Sequence, residues 1–215
     1  MAQRKGKTVV LDSKPYIVAS AGVVGKKEGQ GPLGSCFDGV YNDVTFGQKT
    51  WEQAESELLK RTVVLAMEKA GVKNTEVDAI FAGDLLNQCT SSAFALRSLH
   101  IPMFGLYGAC STMALSLIGA STAIESGGFG CCVAATSSHF CSAEKQFRLP
   151  LEYGGQRPPT AQWTVTGSGA AVLKSQHESN VRITATHVGT VVDMGITDAN
   201  NMGAAMAPVD VKIEP

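Results

Sequence analysis

Met103-Phe-Gly-Leu-Tyr107 followed by Gly108-Ala-Cys-Ser-Thr112 is the stretch on which the fold turns. A short apolar run leads straight into a glycine-opened turn. A helix-like segment rich in Ala, Leu and Ile then runs from Ser111 to Glu125. A cysteine at a strand-to-helix turn sits where backbone N–H groups converge and the helix dipole is positive, a setting that favours a thiolate and attracts anions. Gly108, Ala109 and Ser111 are small, so the backbone there can turn sharply and a ligand can come close. The same position also suits a buried structural cysteine in a first helical turn, because free cysteines are often buried.

Working outward from this turn, the chain alternates strand and helix. Pro15 to Gly22 reads as a strand, and Gly25, Gly29, Gly31 and Gly34 with Pro32 as a loop. Thr50, with Gln53 three residues on, is a candidate helix cap. Apolar or small residues from Trp51 through Leu58 to Ala66 recur at helical spacing, and Gly71 ends the run. Val77 to Ala82 predicts a strand, Ser91 to Leu99 a helix, and Pro102 precedes the next strand. Gly127-Gly128 closes the helix after Cys110, and Cys131 to Thr136 is a strand. Ser137 to Pro159 reads as a long polar loop holding His139, Glu144, Lys145, Arg148, Tyr153 and Arg157. Thr164 to Leu173 and Val181 to Val188 predict an antiparallel pair turning at His177 to Asn180. Such alternation implies an α/β fold, a mostly parallel five-stranded sheet flanked by helices, with its ligand crevice beyond the carboxyl ends of the strands. Asp84 to Thr90, Cys110 to Thr112 and Ser137 to Arg148 all fall at that end.

The 215 residues are 44% hydrophobic and 17% charged, which predicts a sizeable core. A net charge of −1 argues against a nucleic-acid partner. The basic start, Met1 to Lys7, has no apolar run behind it, so it does not read as a signal peptide, and the apolar runs are short of a bilayer span. Six cysteines without CxxC spacing read as reduced thiols of a cytoplasmic-type soluble protein. The four histidines lack the spacing of a metal helix, so neither a metal nor another cofactor is expected.

The motifs carry a resemblance. Cys110 opening a helix inside Gly-Ala-Cys-Ser-Thr, after an ordered strand–helix series, looks like the first half of a thiolase-type subunit. Gly83-Asp-Leu-Leu-Asn-Gln88, Gly108-Ala-Cys-Ser-Thr112, Ala134-Ala-Thr-Ser-Ser-His139, Glu152-Tyr-Gly-Gly-Gln156, Thr164-Val-Thr-Gly-Ser-Gly169 and Asn201-Met-Gly-Ala-Ala-Met-Ala-Pro208 occur in order. Together they resemble the stage V sporulation protein AD family from about Pro15 to Pro208. That resemblance implies the N-terminal half of a duplicated αβαβα architecture. It implies a protein of endospore-forming bacteria that binds dipicolinic acid and serves its uptake into the developing spore. It further implies membrane partners from the same operon, association with the spore inner membrane, and a homo-oligomer when full length. It places Cys110 at the thiolase nucleophile position, with Asn87 and His139 near the same pocket.

Residues 1–208 are expected to form one half-domain and residues 209–215 an atypical tail, with the second half missing. A complete catalytic constellation is then not expected in this chain, and a non-catalytic binding protein is the leading reading. Dipicolinate is a flat aromatic dianion, so its site needs N–H or cationic donors for two carboxylates and an apolar slot for the ring. The helix start at Cys110 offers N–H groups. Arg148, Lys145 and His139 are candidate cations, Phe140 or Phe147 a candidate wall, and Asn87 and Asp84 candidate polar contacts, with Asp84 equally suited to capping a turn. The alternative is acyl transfer through a Cys110 thioester, with His139 as the local base.

Overall fold

A computed structural model describes residues 2–147, 164–176 and 179–190, with 193, 195 and 197. Its elements in chain order are β1 (Gln3–Lys5), β2 (Thr8–Val10), β3 (Tyr16–Gly25), α1 (Lys26–Gly29), β4 (Gly39–Tyr41), α2 (Trp51–Ala70), β5 (Ala79–Gly83) and α3 (Thr90–Leu96). They continue with β6 (Met103–Gly105), α4 (Thr112–Glu125), β7 (Cys131–Ser138), α5 (Phe140–Phe147), β8 (Gly167–Lys174) and β9 (Ala185–His187).

Local signals set the long helix. The Thr50 hydroxyl accepts the Gln53 N–H at 3.2 Å, and Gly71 ends the helix in the left-handed region at φ 63°. Strand alternation then sorts side chains to two faces. On β5 and β7, Ile80, Ala82, Val133 and Ala135 face the α2 side, whereas Ala79, Phe81, Cys132 and Ala134 face the α4 side. Helix α4 lies close on the sheet: a Cβ at Gly119 would meet the Phe81 ring at 2.8 Å.

The main sheet runs β4-β3-β8-β7-β5-β6. It therefore has six strands, not five. The extra edge strand, β4, lies in the glycine-rich stretch that reads as loop, pinned parallel to the end of β3 through Val23 to Gly25. The pairs β4–β3, β7–β5 and β5–β6 are parallel. The expected hairpin of the last two strands does not form. Instead β8 enters the sheet between β3 and β7, antiparallel to both, with Cys131 opposite Lys174 and Ser138 opposite Gly167. Burial on both faces explains this: Ala170, Ala171, Val172 and Leu173 are all at most 4% exposed. Strand β9 pairs with β2 in a separate sheet, β1-β2-β9. The segment after β7 is also not all loop, because Phe140 to Phe147 is helical. Arg148, Tyr153 and Arg157, like the predicted tail at 209–215, lie outside the described residues.

Candidate functional site

Strands β5, β6 and β7 are parallel, so the segments that follow them emerge at one end of the sheet. Asp84 follows β5, the Cys110 turn follows β6, and His139 follows β7. The topology expected from the sequence thus brings these segments to one rim, but it distributes their side chains over two sides of it.

Cys110 sits in a tight turn, Ala109–Ser111, that runs directly into α4. Its side chain is exposed, which settles the choice against a buried structural cysteine. Ala109 is held at φ 46°, a left-handed conformation that costs a non-glycine residue about 1–3 kcal/mol and is found at functional turns. The turn is tied by its own hydroxyls. Ser111 donates to the Gly108 carbonyl at 2.7 Å, and Thr112 donates to the Ala109 carbonyl at 2.8 Å while accepting the Gly108 N–H at 3.2 Å. Close approach beneath it needs glycine: a Cβ at Gly83 would stand 1.8 Å from the Leu106 carbonyl oxygen and 2.8 Å from the Thr112 methyl. Exposed Phe104 and Tyr107 lead into the turn. By contrast, Cys131 and Cys132 are buried in β7, and burial pushes the Cys132 thiol up to about 12.

Asp84 is buried and fully engaged. One oxygen accepts the Leu86 N–H at 2.8 Å, and the other accepts the Ser92 N–H at 2.7 Å and the Ser92 hydroxyl at 2.6 Å. It staples the β5–α3 loop, the turn-capping role its residue type allowed. Asn87 is exposed in the next turn, and its carbonyl accepts the Thr90 hydroxyl at 2.6 Å. The two residues after it, Gln88 and Cys89, are both left-handed, at φ 60° and 52°.

His139 is buried, stacked on Trp51 with ring centroids 5.3 Å apart. Its Nε2 lies 2.8 Å from the Val44 carbonyl, and its Nδ1 accepts the Cys141 N–H at 3.1 Å. The neutral tautomer with the proton on Nε2 satisfies both contacts, and burial pushes the ring's pKa below the usual histidine value. Lys145 is paired with Glu52 at 2.7 Å.

Glu55 was not singled out from the sequence. It is fully buried on α2, its carboxyl bonded by the Ser137 hydroxyl of β7 at 3.1 Å and by the Ser142 hydroxyl of α5. Burial, with Asp84 and Glu52 adding like charge, raises its pKa to about 7. The signal was present: Glu55 precedes Leu58 and Leu59 by three and four residues, so it falls in the inward stripe of α2. Beside this cluster is a cavity of about 240 Å³ lined by Glu52, Leu86, Asn87, Thr90, Ser142 and Lys145. A second, of about 410 Å³, lies between α2 and α3. Asp84, Asn87 and Glu55 thus gather on the α2 side, whereas Cys110 opens at the start of α4. No cluster of three metal-ligating side chains occurs among the described residues.

A mixed sheet sandwiched by α2 and α4, with a cysteine at the turn into α4, defines a thiolase-like α/β protein. Solved structures agree on that fold. The chain superposes on 3-oxoacyl-[acyl-carrier-protein] synthase III from Aquifex aeolicus VF5 with a TM-score of 0.52 at 16% identity, covering 77% of this chain and 55% of that one. A variant of OleA from Xanthomonas campestris gives 0.51 at 13% identity, covering 77% and 57%. The particular family is set by sequence: residues 5–213 match the stage V sporulation protein AD family, and the chain belongs to it. It is 46% identical over 205 residues to stage V sporulation protein AD of Bacillus subtilis (strain 168). That alignment takes in 94% of this chain and 60% of the relative's length. No helix among the described residues is long and apolar enough to cross a membrane.

Proposed function

We propose that this sporulation protein binds dipicolinic acid without transforming it and serves its uptake into the developing spore, alongside membrane partners of the same operon at the spore inner membrane. The observation that carries the non-catalytic part is His139. An acyl-transfer mechanism needs a base free to take the thiol proton. The histidine read as the local base, His139, is buried, with both ring nitrogens on the backbone. The exposed Cys110 turn supports the binding part. It opens to solvent at the positive end of the α4 dipole, with exposed Phe104 and Tyr107 leading into it to offer an aromatic ring a flat neighbour. On this reading Arg148 supplies a further contact, gripping a carboxylate with two parallel hydrogen bonds, and Asn87, which lines the cavity on the α2 side, is not part of the site. Asp84 and His139 shape the rim from behind, and a homo-oligomer is the working form.

Calorimetric titration with dipicolinate, with phthalate as the control dianion, tests this. Binding of dipicolinate alone is expected, weakened in Arg148→Ala by about 1.5–3 kcal/mol. Equal heats for the two acids, or none for either in a chain of the relatives' full length, would remove the reading.

A second reading keeps one observation in its favour: Cys110 is exposed next to the strained Ala109. Acyl transfer through a Cys110 thioester would appear as a mass increase on Cys110 after incubation with a short acyl-CoA. An acylated Cys110 that then hands its acyl group on would make the protein an enzyme.

A further inference from the structure

The cavity of about 410 Å³ between α2 and α3 has the size of a small-ligand site, and neither the Cys110 turn nor Glu55 lines it. Its charged side chains are Glu52, Glu57 and Lys60 of α2 and Arg97, which follows α3. Both acids are already paired, Glu52 with Lys145 at 2.7 Å and Glu57 with Arg61 at 2.7 Å. Lys60 and Arg97 have no acidic partner among the described residues. The hydroxyl protons of Ser56, Thr90 and Ser91 go to backbone carbonyls of Glu52, Ser91 and Asn87. The charge left over on the lining is therefore positive.

The topology brings the two cations together. Strands β3, β5 and β6 run in one direction, so α2 and α3, which return from the end of one strand to the start of the next, lie parallel on the same face. The Ser56 hydroxyl meets the Ser91 carbonyl at 3.0 Å, which sets those residues side by side. Lys60 is four residues past Ser56 and Arg97 six past Ser91, so they lie about 6 Å and 9 Å further along their helices, at one end of the cavity. Phe94 is at the same end. It is 55% exposed, and the Arg97 Cζ stands 4.9 Å from its ring centroid. A guanidinium lying over a ring keeps its in-plane N–H groups for an anion.

We propose that this cavity binds a small soluble phosphate monoester with an aromatic body, its phosphate on Lys60 and Arg97 and its body against Phe94. A phosphate monoester carries a charge of about −1.5 to −2 at pH 7, which two cations match. Arg97 supplies a planar fork for two of the phosphate oxygens and Lys60 a point charge. An aromatic body covers the part of the Phe94 ring that otherwise meets water. Glu52 and Glu57, each held by a cation of its own, do not compete for Lys60 and Arg97. The site is independent of the Cys110 turn, which opens at the start of α4.

Calorimetric titration of the 215-residue chain with phenyl phosphate, inorganic phosphate and benzoate tests this. Phenyl phosphate should bind more tightly than either, because inorganic phosphate lacks the ring and benzoate the second charge. Arg97→Gln and Lys60→Met should each weaken it about tenfold or more. Arg97→Lys should recover only part of the loss, since an ammonium cannot grip two oxygens in one plane. Phe94→Ala should bring the affinity for phenyl phosphate down toward that for inorganic phosphate. An absence of phenyl phosphate binding, or binding that Arg97→Gln and Lys60→Met leave unchanged, would overturn the proposal. Should a variant fail to fold, amide NMR of the wild-type chain with phenyl phosphate decides. Shifts centred on Lys60 and on Phe94 to Ser98 support the site, and shifts centred elsewhere overturn it.

Discussion

The two faces of the main sheet are covered by helices of opposite character. On one face α2 is amphipathic over its length. Leu58, Leu59, Val63 and Ala66 are 0% exposed, while Glu57, Lys60, Arg61, Glu68 and Lys69 stand on its outer side. On the other face α4 carries no charge until Glu125, and that carboxylate is bonded by the Ser13 hydroxyl and the Ser13 N–H of the loop after β2. Only Thr112, Ser116, Ala120, Ser121 and Ile124 of α4 are buried. Leu115, Leu117 and Ile118 are half-exposed, and Ala114 is exposed. A helix that is apolar all round suits burial on all sides. One helix thus finishes its face of the sheet, while the other has a sequence made for a second covering layer.

This contrast can be broken by measurement. The largest effect is expected from Leu59→Ala, which should lower the unfolding free energy in denaturant titration by about 2–5 kcal/mol. The chemically identical Leu117→Ala on α4 should cost well under half as much, since its methyl groups are already partly in water. Equal costs would mean that the two faces are equally sealed.

Next in size is the pH dependence that Glu55 imposes on the α2 side. Its pKa is raised to about 7 in the folded chain, so folding takes up a proton between the ordinary glutamate value and about 7. Stability should fall by about 1.4 kcal/mol per pH unit as pH rises through that window and flatten above it. Melts at pH 5, 6, 7 and 8 check this, and Glu55→Gln should flatten the curve.

Thr50→Ala removes the cap of α2 and should cost about 1 kcal/mol without altering the α4 side. The smallest effect on stability belongs to the outer side of α4. Ile118→Lys should leave the unfolding midpoint nearly unchanged. It should, however, lower the mass seen by light scattering, because the 215-residue chain on its own is expected to self-associate through that face. A wild-type chain that runs as a monomer would show that α4 needs no cover.

Helix α2, its cap and its stop, the chain order of β5, β6 and β7, and the strand-to-helix turn at Cys110 were legible in the sequence because each depends on neighbours a few residues apart. Capping, alternation and glycine's left-handed freedom are local physics. The insertion of β8 between β3 and β7 was not legible, because a strand's partner is chosen by burial of both its faces and not by the turn that precedes or follows it. The same holds for the site. His139 reads as a cation or base until Val44, 95 residues earlier, takes its Nε2. Glu55 reads as one more surface charge until Ser137 and Ser142, 82 and 87 residues later, close over it. A residue type states which bonds a side chain can make. Only the tertiary structure decides which partners arrive and whether water is left beside them, and at Glu55 and His139 that decided the protonation each one favours.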